Sequence, residues 1–285
     1  MATPRRRLDA ELARRGLVGS RAEAQEAIAD GLVTVDGAPA TKAATQVTSA
    51  QQLRVSAPAR AYVSRGGEKL AHALTTFGVD PSGRRCLDAG VSTGGFTDCL
   101  LQRGAAHVLA FDVGYGQVHE RIRTDPRVTV AERTNVRDLT PADLASPPPD
   151  LVVADLSFIS LTTVLPTLRE VSAPDAEAVL LVKPQFEAQR SQVGKGGVVR
   201  DPGVWRACIE RVLASGAAVG WRAAGIAASA LLGPAGNVEF VVHLTTRVPV
   251  TPVGEDTDDD LGRWLDAALA EGQRLRGGRA AGEGS

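Results

Sequence analysis

Apolar positions divide the chain into two patterns. Residues 5–55 carry two short helical repeats, 8–15 and 21–30, followed by brief apolar runs around 32–35 and 53–55. Ser20 fits an N-cap with Glu23 three residues on as its capping-box partner, and Gly31 closes that helix. Beyond residue 85, near-continuous apolar runs recur at 86–89, 108–112, 128–130, 151–156, 178–183, 217–228 and 238–244. Runs of this kind read as strands covered on both faces, and their alternation with helical segments predicts a β-α-β series. No helical pattern separates the last two runs, which predicts a terminal antiparallel hairpin. The predicted fold class is therefore α/β, a Rossmann-like, seven-stranded, mostly parallel sheet preceded by a small α+β domain.

Composition narrows this picture. The chain has 285 residues, enough for one sizeable domain and a small one, and 44% of them are hydrophobic but only 4% aromatic, so the core rests on Val, Leu, Ile and Ala. Cys86, Cys99 and Cys208 form an odd set without a C-x-x-C pair, and the four histidines are scattered, which argues against a disulfide framework or a metal site and for a reducing compartment. No apolar stretch approaches the roughly 18 to 20 residues that span a bilayer, no apolar region follows the N-terminal arginines, and Asp9 and Glu11 do not suit a transit peptide. The expectation is a cytoplasmic protein that does not enter membranes. Pro58 interrupts regular structure, and after residue 250 an acidic run precedes a helical pattern at Leu261, Trp264, Leu265, Ala268 and Leu269. The expected domains are 1–59, a linker at 60–64, a main domain at 65–250, and at 251–285 an acidic segment, a short helix and a disordered tail.

Candidate chemistry begins at Leu87-Asp88-Ala89-Gly90-Val91-Ser92-Thr93-Gly94-Gly95-Phe96, which joins the first strand of the main domain to a helix through small residues that let a ligand approach the backbone. Asp112 ends the next strand about twenty residues after Gly90, where a carboxylate can accept both hydrogen bonds of a ribose diol. This much fits a dinucleotide too, but the G-x-G-x-x-G spacing is missing and Asp88 is unwelcome beside phosphates. The turn and Asp112 resemble the S-adenosylmethionine site of class I methyltransferases. That resemblance implies that Asp88, Gly90, Ser92, Thr93, Gly94, Gly95, Phe96 and Asp112 hold this cofactor, with Asn135 and Val136 by the adenine.

Four charged residues stand at or near element ends: Lys69, Asp155, Lys183 and Glu239. Asp155 and Lys183 close apolar runs, where ligands of parallel sheets bind, whereas Glu239 is expected within its strand and needs a cation. Each alone fits a structural ion pair. As a set they resemble the Lys-Asp-Lys-Glu tetrad of FtsJ-like ribose 2'-O-methyltransferases, and Asp155-Leu156-Ser157-Phe158 departs from the Asn/Asp-Pro-Pro-aromatic motif of amino-group methylases. The resemblance implies a central role for Lys183, with Lys69, Asp155 and Glu239 positioning and tuning it. Bringing a lysine from about 10.4 to near 7 costs roughly 4 to 5 kcal/mol, so Lys183 is either a base once water is excluded or an ammonium that steadies an alkoxide. The polar, glycine-rich segment 189–197 fits a lid over an RNA backbone or an ordinary loop.

Arg5, Arg6, Arg7, Arg14, Arg15 and Arg21 crowd the first helices while the formal net charge is only −1, so basic surface is local; a solvated helix face is the plain alternative. With Arg7-Leu8-Asp9, Gly19-Ser20-Arg21 and Val35-Asp36-Gly37, most of residues 5–56 resembles the S4 RNA-binding domain. Together with Val63-Ser64-Arg65-Gly66-Gly67, Asp112-Val113-Gly114-Tyr115-Gly116-Gln117 and Val182-Lys183-Pro184-Gln185-Phe186-Glu187, the chain resembles the TlyA family. The resemblance implies a bacterial enzyme that methylates cytidine 2'-oxygens of ribosomal RNA in ribosomal subunits, with Arg6, Arg7, Arg15, Arg21 and Arg65 on the RNA; a monomer is expected. Family members are also called hemolysins, so a cytolysin and a non-catalytic ribosome-assembly factor are the rival readings.

Overall fold

The computed structural model describes residues 5–56, 61–144, 147–247 and 257–282, and the chain divides into two units, Met1–Ala61 and Tyr62–Ser285. In the first unit β1 (Arg5–Arg7) runs into α1 (Leu8–Arg14), followed by α2 (Arg21–Ala29), β2 (Val33–Val35), β3 (Ala38–Pro39), β4 (Gln46–Thr48) and β5 (Leu53–Val55). β1 pairs with β4, and β2 lies between β3 and β5. Leu8, Leu12, Ala24, Ile28, Val33, Val47 and Leu53 are in its core; all but Val47, whose strand β4 was not expected, lie in the predicted helices and short strands. Ser20 caps α2 by accepting from the Glu23 amide. The Glu23 carboxylate reaches back to the Gly19 amide at 2.6 Å rather than to Ser20, so the expected box is displaced by one residue. Gly19 permits this, because a Cβ there would stand 2.9 Å from the Glu23 carboxylate.

The second unit holds α3 (Arg65–Phe77), β6 (Arg85–Ala89), α4 (Gly95–Gln102), β7 (His107–Phe111), α5 (Glu120–Arg123), β8 (Val128–Ala131), β9 (Leu151–Ala154), α6 (Leu161–Glu170) and β10 (Glu177–Val182). It continues through α7 (Pro184–Glu187), α8 (Pro202–Ala218), β11 (Arg222–Ala228), β12 (Phe240–Thr245) and α9 (Thr257–Gly282). The seven strands lie in the order β11-β12-β10-β9-β6-β7-β8, and β12 runs antiparallel to both its neighbours. The predicted mostly parallel sheet with a terminal hairpin is the sheet that forms. Its chain order reverses between β6 and β9, where Ala89 and Ala154 are register partners, and this is where an open α/β sheet places its ligands.

Four expectations need correction. The apolar run expected as a strand from residue 217 begins as helix: α8 continues through Ala218, Gly220 turns the chain at φ +93°, and β11 starts at Arg222. Alanine favours helix, which carries α8 on through Ala218, and the left-handed Gly220 sets the boundary. Glu239 stands just before β12 rather than inside it. Tyr62 and Val63 pack on the core of the second unit, and the Val63 amide donates to Asp98, so the C-terminal half of the expected linker belongs to this unit; the expected boundary at 59/60 lies outside the described residues. Among the described residues the C-terminal helix is longer than expected, because α9 spans 26 residues, Thr257–Gly282. Leu265, Ala268 and Leu269 bury on the sheet side, and Arg276 donates to the Arg200 carbonyl, which holds the later turns. Glu255 and Asp256 of the acidic run lie outside the described residues.

Candidate active site

The turn after β6 is built for close approach. Gly90 sits at φ +90°, and a Cβ there would fall 2.9 Å from the Asp155 carbonyl, so only glycine lets the turn nestle against the β9 end. Ser92 takes φ +48° and Gly94 φ +101° to cap α4, and a Cβ on Gly94 would press to 2.8 Å from Ile122. Thr93 holds the next segment by accepting from the His119 amide. Gly95 opens α4 packed on Gly66 and Gly67. Phe96, expected at the cofactor, is buried in the core with Leu70 and Cys99. It shapes the turn from beneath.

Asp112 accepts from the Ser92 amide at 2.8 Å through one oxygen and from the Gly114 amide at 2.7 Å through the other. These bonds aim the carboxylate and leave further lone pairs for a diol. Asp88 is fully buried, accepts from the Thr97 hydroxyl at 2.6 Å, and leaves its other oxygen without a partner. Burial pushes its carboxyl up to about 7 despite the Thr97 bond, with Asp155 and Asp112 adding repulsion. An orphaned buried carboxylate oxygen, a glycine cradle and an aimed acid fit a cationic nucleoside ligand. Asn135, expected to contact the adenine, uses its side-chain oxygen to cap the short 3-10 turn Val136–Asp138, and Val136 is buried in the core.

The four charged residues converge as two pairs. Lys69, on α3, meets Glu239 at 2.6 Å with both side chains enclosed, while Lys183, just past β10, meets Asp155, just past β9, at 2.5 Å. Burial lowers the Lys69 ammonium pKa, but Glu239 and Asp155 outweigh it and hold it above the ordinary lysine value. Burial likewise raises Asp155, yet Lys183 and Lys69 bring it below the ordinary carboxylate value. Lys183 also donates to the Ser157 hydroxyl at 3.1 Å, a contact with no signal in the apolar pattern. Gln185 reaches Glu239 at 3.5 Å, so both pairs and the segment after β10 form one cluster.

Residues that sequence reasoning missed frame this cluster. Phe158 is 91% exposed, sits at φ +65°, and packs on Phe186 with ring centroids 5.1 Å apart. A phenylalanine both exposed and in the left-handed region is held there by its surroundings, a pattern that belongs to functional sites. Glu187 is buried and accepts from the Ser160 hydroxyl at 2.5 Å and the Leu161 amide at 2.7 Å, binding the loop after β9 to the loop after β10. Both residues lie in motif segments, which was the signal available. Arg65, expected on the RNA, donates to the Leu232 carbonyl and stands beside Lys69.

In the first unit the arginines gather on two acids. Asp9 accepts from Arg7 at 3.0 and 3.1 Å, from Arg21 at 3.0 Å and from Gln25 at 2.9 Å. Glu11 accepts from Arg14 at 2.7 and 2.6 Å and from Arg15 at 2.8 Å, with Arg6 at 4.0 Å. Arg15, expected to face RNA, donates to the carbonyls of Gln51, Thr48 and Ser49 in the β4–β5 turn. Arg6, Arg7, Arg14 and Arg21 remain about half exposed.

The fold and site define a methyltransferase of the class I type joined to an S4 module: the FtsJ-like methyltransferase family matches residues 62–246 and the S4 domain matches residues 6–53. The 16S/23S rRNA (cytidine-2'-O)-methyltransferase TlyA of Mycobacterium tuberculosis is 51% identical over 94% of this chain and 98% of its own length. Hemolysin A of Brachyspira hyodysenteriae is 37% identical over 83% of this chain and 98% of its own. A solved Streptococcus thermophilus protein bearing a hemolysin name matches with TM-score 0.75 and 33% identity over 98% of this chain and 100% of its own. This chain belongs to the TlyA family of FtsJ-like methyltransferases.

Proposed function

We propose that this protein methylates the 2'-oxygen of cytidine ribose in ribosomal RNA, with S-adenosylmethionine as donor and Lys183 at the reacting hydroxyl. The observation that carries the reading is the Lys183–Asp155 pair at 2.5 Å, set at the carboxyl ends of adjacent strands next to the enclosed Lys69–Glu239 pair. When bound, S-adenosylmethionine supplies an electrophilic sulfonium methyl. Asp88, the 90–95 turn and Asp112 would hold it, with Asp112 suited to the ribose diol and the Asp88 carboxylate to its positive charge.

The ribose hydroxyl is a weak acid that sheds its proton as it attacks. Lys183 as a neutral amine receives that proton, or as an ammonium holds the developing alkoxide while the proton passes to water; both routes place Nζ at the 2'-oxygen, and Asp155 with Ser157 fixes where Nζ sits. Lys183 first and Lys69 second hold the Asp155 carboxyl below the ordinary carboxylate value, while the enclosed Glu239 pairs with Lys69 just before the start of β12. Phe158 offers its face to the target base, since every base has a π-face that stacks on an exposed ring. Arg6, Arg7, Arg14 and Arg21 take phosphates of structured RNA, which supplies affinity and register.

Among the described residues no helix is long and apolar enough to cross a membrane. The hemolysin name belongs to relatives, and lysis gives no role to two lysine–carboxylate pairs at strand ends. The test incubates purified protein with methyl-labelled S-adenosylmethionine and unmodified small or large ribosomal subunits, then maps label by nuclease digestion and mass spectrometry. Label on a cytidine ribose, lost with Lys183→Ala, is the expected result. Cofactor binding without label on any RNA would overturn the acceptor.

A further inference from the structure

Asp9 and Glu11 are acids in a segment whose task is to meet a polyanion, yet both are buried, with side-chain exposures of 0% and 2%. Burial of a carboxylate is tolerated only with strong compensation. Here each carries more than compensation requires. Arg7 grips Asp9 as a fork, two N–H groups on two oxygens, while Arg21 and Gln25 share the outer oxygen from α2. Arg14 grips Glu11 in the same way at 2.7 and 2.6 Å. A guanidinium has five N–H donors. A fork therefore fixes its plane while leaving donors on the exposed side.

Beside Glu11 lies a cleft of about 170 Å³ lined by Arg6, Glu11, Arg14, Val47 and Ser49. Its lining brings the half-exposed Arg6 and Arg14 together with the buried Glu11 carboxylate. Free arginines would repel one another and lose rotamer freedom on meeting RNA, each such loss weakening the complex. Held arginines have already lost it.

We propose that Asp9 and Glu11 are positioning residues for RNA recognition: each buried carboxylate fixes half-exposed arginines, Arg7 and Arg21 on one and Arg14 on the other, in the geometry that receives RNA phosphates. The proposal rests on the reading of this unit as the RNA-binding face. It makes a prediction opposite in sign to simple electrostatics. Removing a negative charge from a basic surface should tighten binding to any RNA, whereas loosening a preset array should weaken binding to the cognate surface alone.

The experiment compares full-length wild-type protein with Asp9→Asn, Glu11→Gln, Arg7→Ala and Arg21→Ala, measuring affinity for unmodified ribosomal subunits and for poly(U) across a salt series. Asp9→Asn and Glu11→Gln are expected to weaken subunit binding roughly tenfold, the scale of one lost charge-assisted hydrogen bond, while poly(U) binding holds or tightens, and the effect falls on KM for subunits rather than on kcat. Asp9 also joins α1 to α2, so folding is followed by amide exchange. Parallel loss of subunit and poly(U) binding with loss of exchange protection would make Asp9 merely structural. Glu11→Gln then decides, because its partners Arg14 and Arg15 lie within four residues of it. Unchanged or tighter subunit binding in both acid variants, with Arg7→Ala and Arg21→Ala weakened, would overturn the proposal and leave the RNA face standing. No effect in the arginine variants would overturn the RNA face itself.

Discussion

Both units set basic side chains against carboxylates, and they expose opposite things. In the first unit the acids are buried and four arginines stand about half in solvent; in the second, Lys69 and Glu239 are enclosed together and Lys183 and Asp155 are nearly so. The exposure of the cation separates a surface that meets a polyanion from a site that handles one proton. In water a charge is screened within about 10 Å at 0.1 M salt and must act in numbers. In a closed site a single ammonium acts at full strength on one oxygen.

The hardest test of that contrast is Lys183→Ala, expected to lower methyl transfer about a hundredfold to ten-thousandfold with S-adenosylmethionine affinity retained, measured by label incorporation and calorimetry. An activity near wild type would place the chemistry elsewhere. Glu239→Ala strands Lys69 in an enclosed site and is expected to destabilise the second unit by about 3–5 kcal/mol, read from the urea midpoint. Asp155→Ala should destabilise less, since Lys183 keeps Ser157; equal losses would erase the distinction between the two pairs. Phe158→Ala should lose about 1–3 kcal/mol of transition-state binding with little fall in thermal stability, because the ring is 91% exposed and alanine meets the same φ +65° backbone cost that phenylalanine does. A drop in stability would make it a packing residue.

The smallest effect concerns pH. Asp88 is raised to about 7 by burial, so the folded state favours its protonated form and loses stability as pH climbs from the ordinary carboxylate value through about 7. Affinity for a cationic cofactor should rise over the same interval, as the carboxylate ionises. Asp88→Asn is expected to flatten both curves; a pH-dependent affinity surviving in that variant would move the titration to another group.

Some of this was legible in residue order and some was not. Asp155 and Lys183 were readable because an apolar run that stops on a charge marks the end of a buried strand, and Asp112 because its distance from Gly90 is set by one helix. Ser20 was readable as a cap, but its partner's reach to Gly19 depended on a glycine leaving room. Glu239 looked interior to a strand because Val238 and Phe240 flank it, yet the pairing of β12 with β10 begins only at Phe240. Arg15 looked like its neighbours, and only the fold brings its guanidinium to the carbonyls of the β4–β5 turn.

The order of apolar and polar residues by itself determined the two-part organisation, the seven strands and their mostly parallel sheet, the turn after β6 and the residue types at the strand ends, because periodicity and local turn chemistry act over a few residues. Tertiary structure alone decided which lysine faces which acid, that Asp9 and Glu11 hold the arginines, and that Phe158 stands open while Phe96 is closed in. Those are distances between residues as far apart as 69 and 239. They depend on which strands lie side by side and on how much water each side chain keeps, neither of which a local pattern encodes.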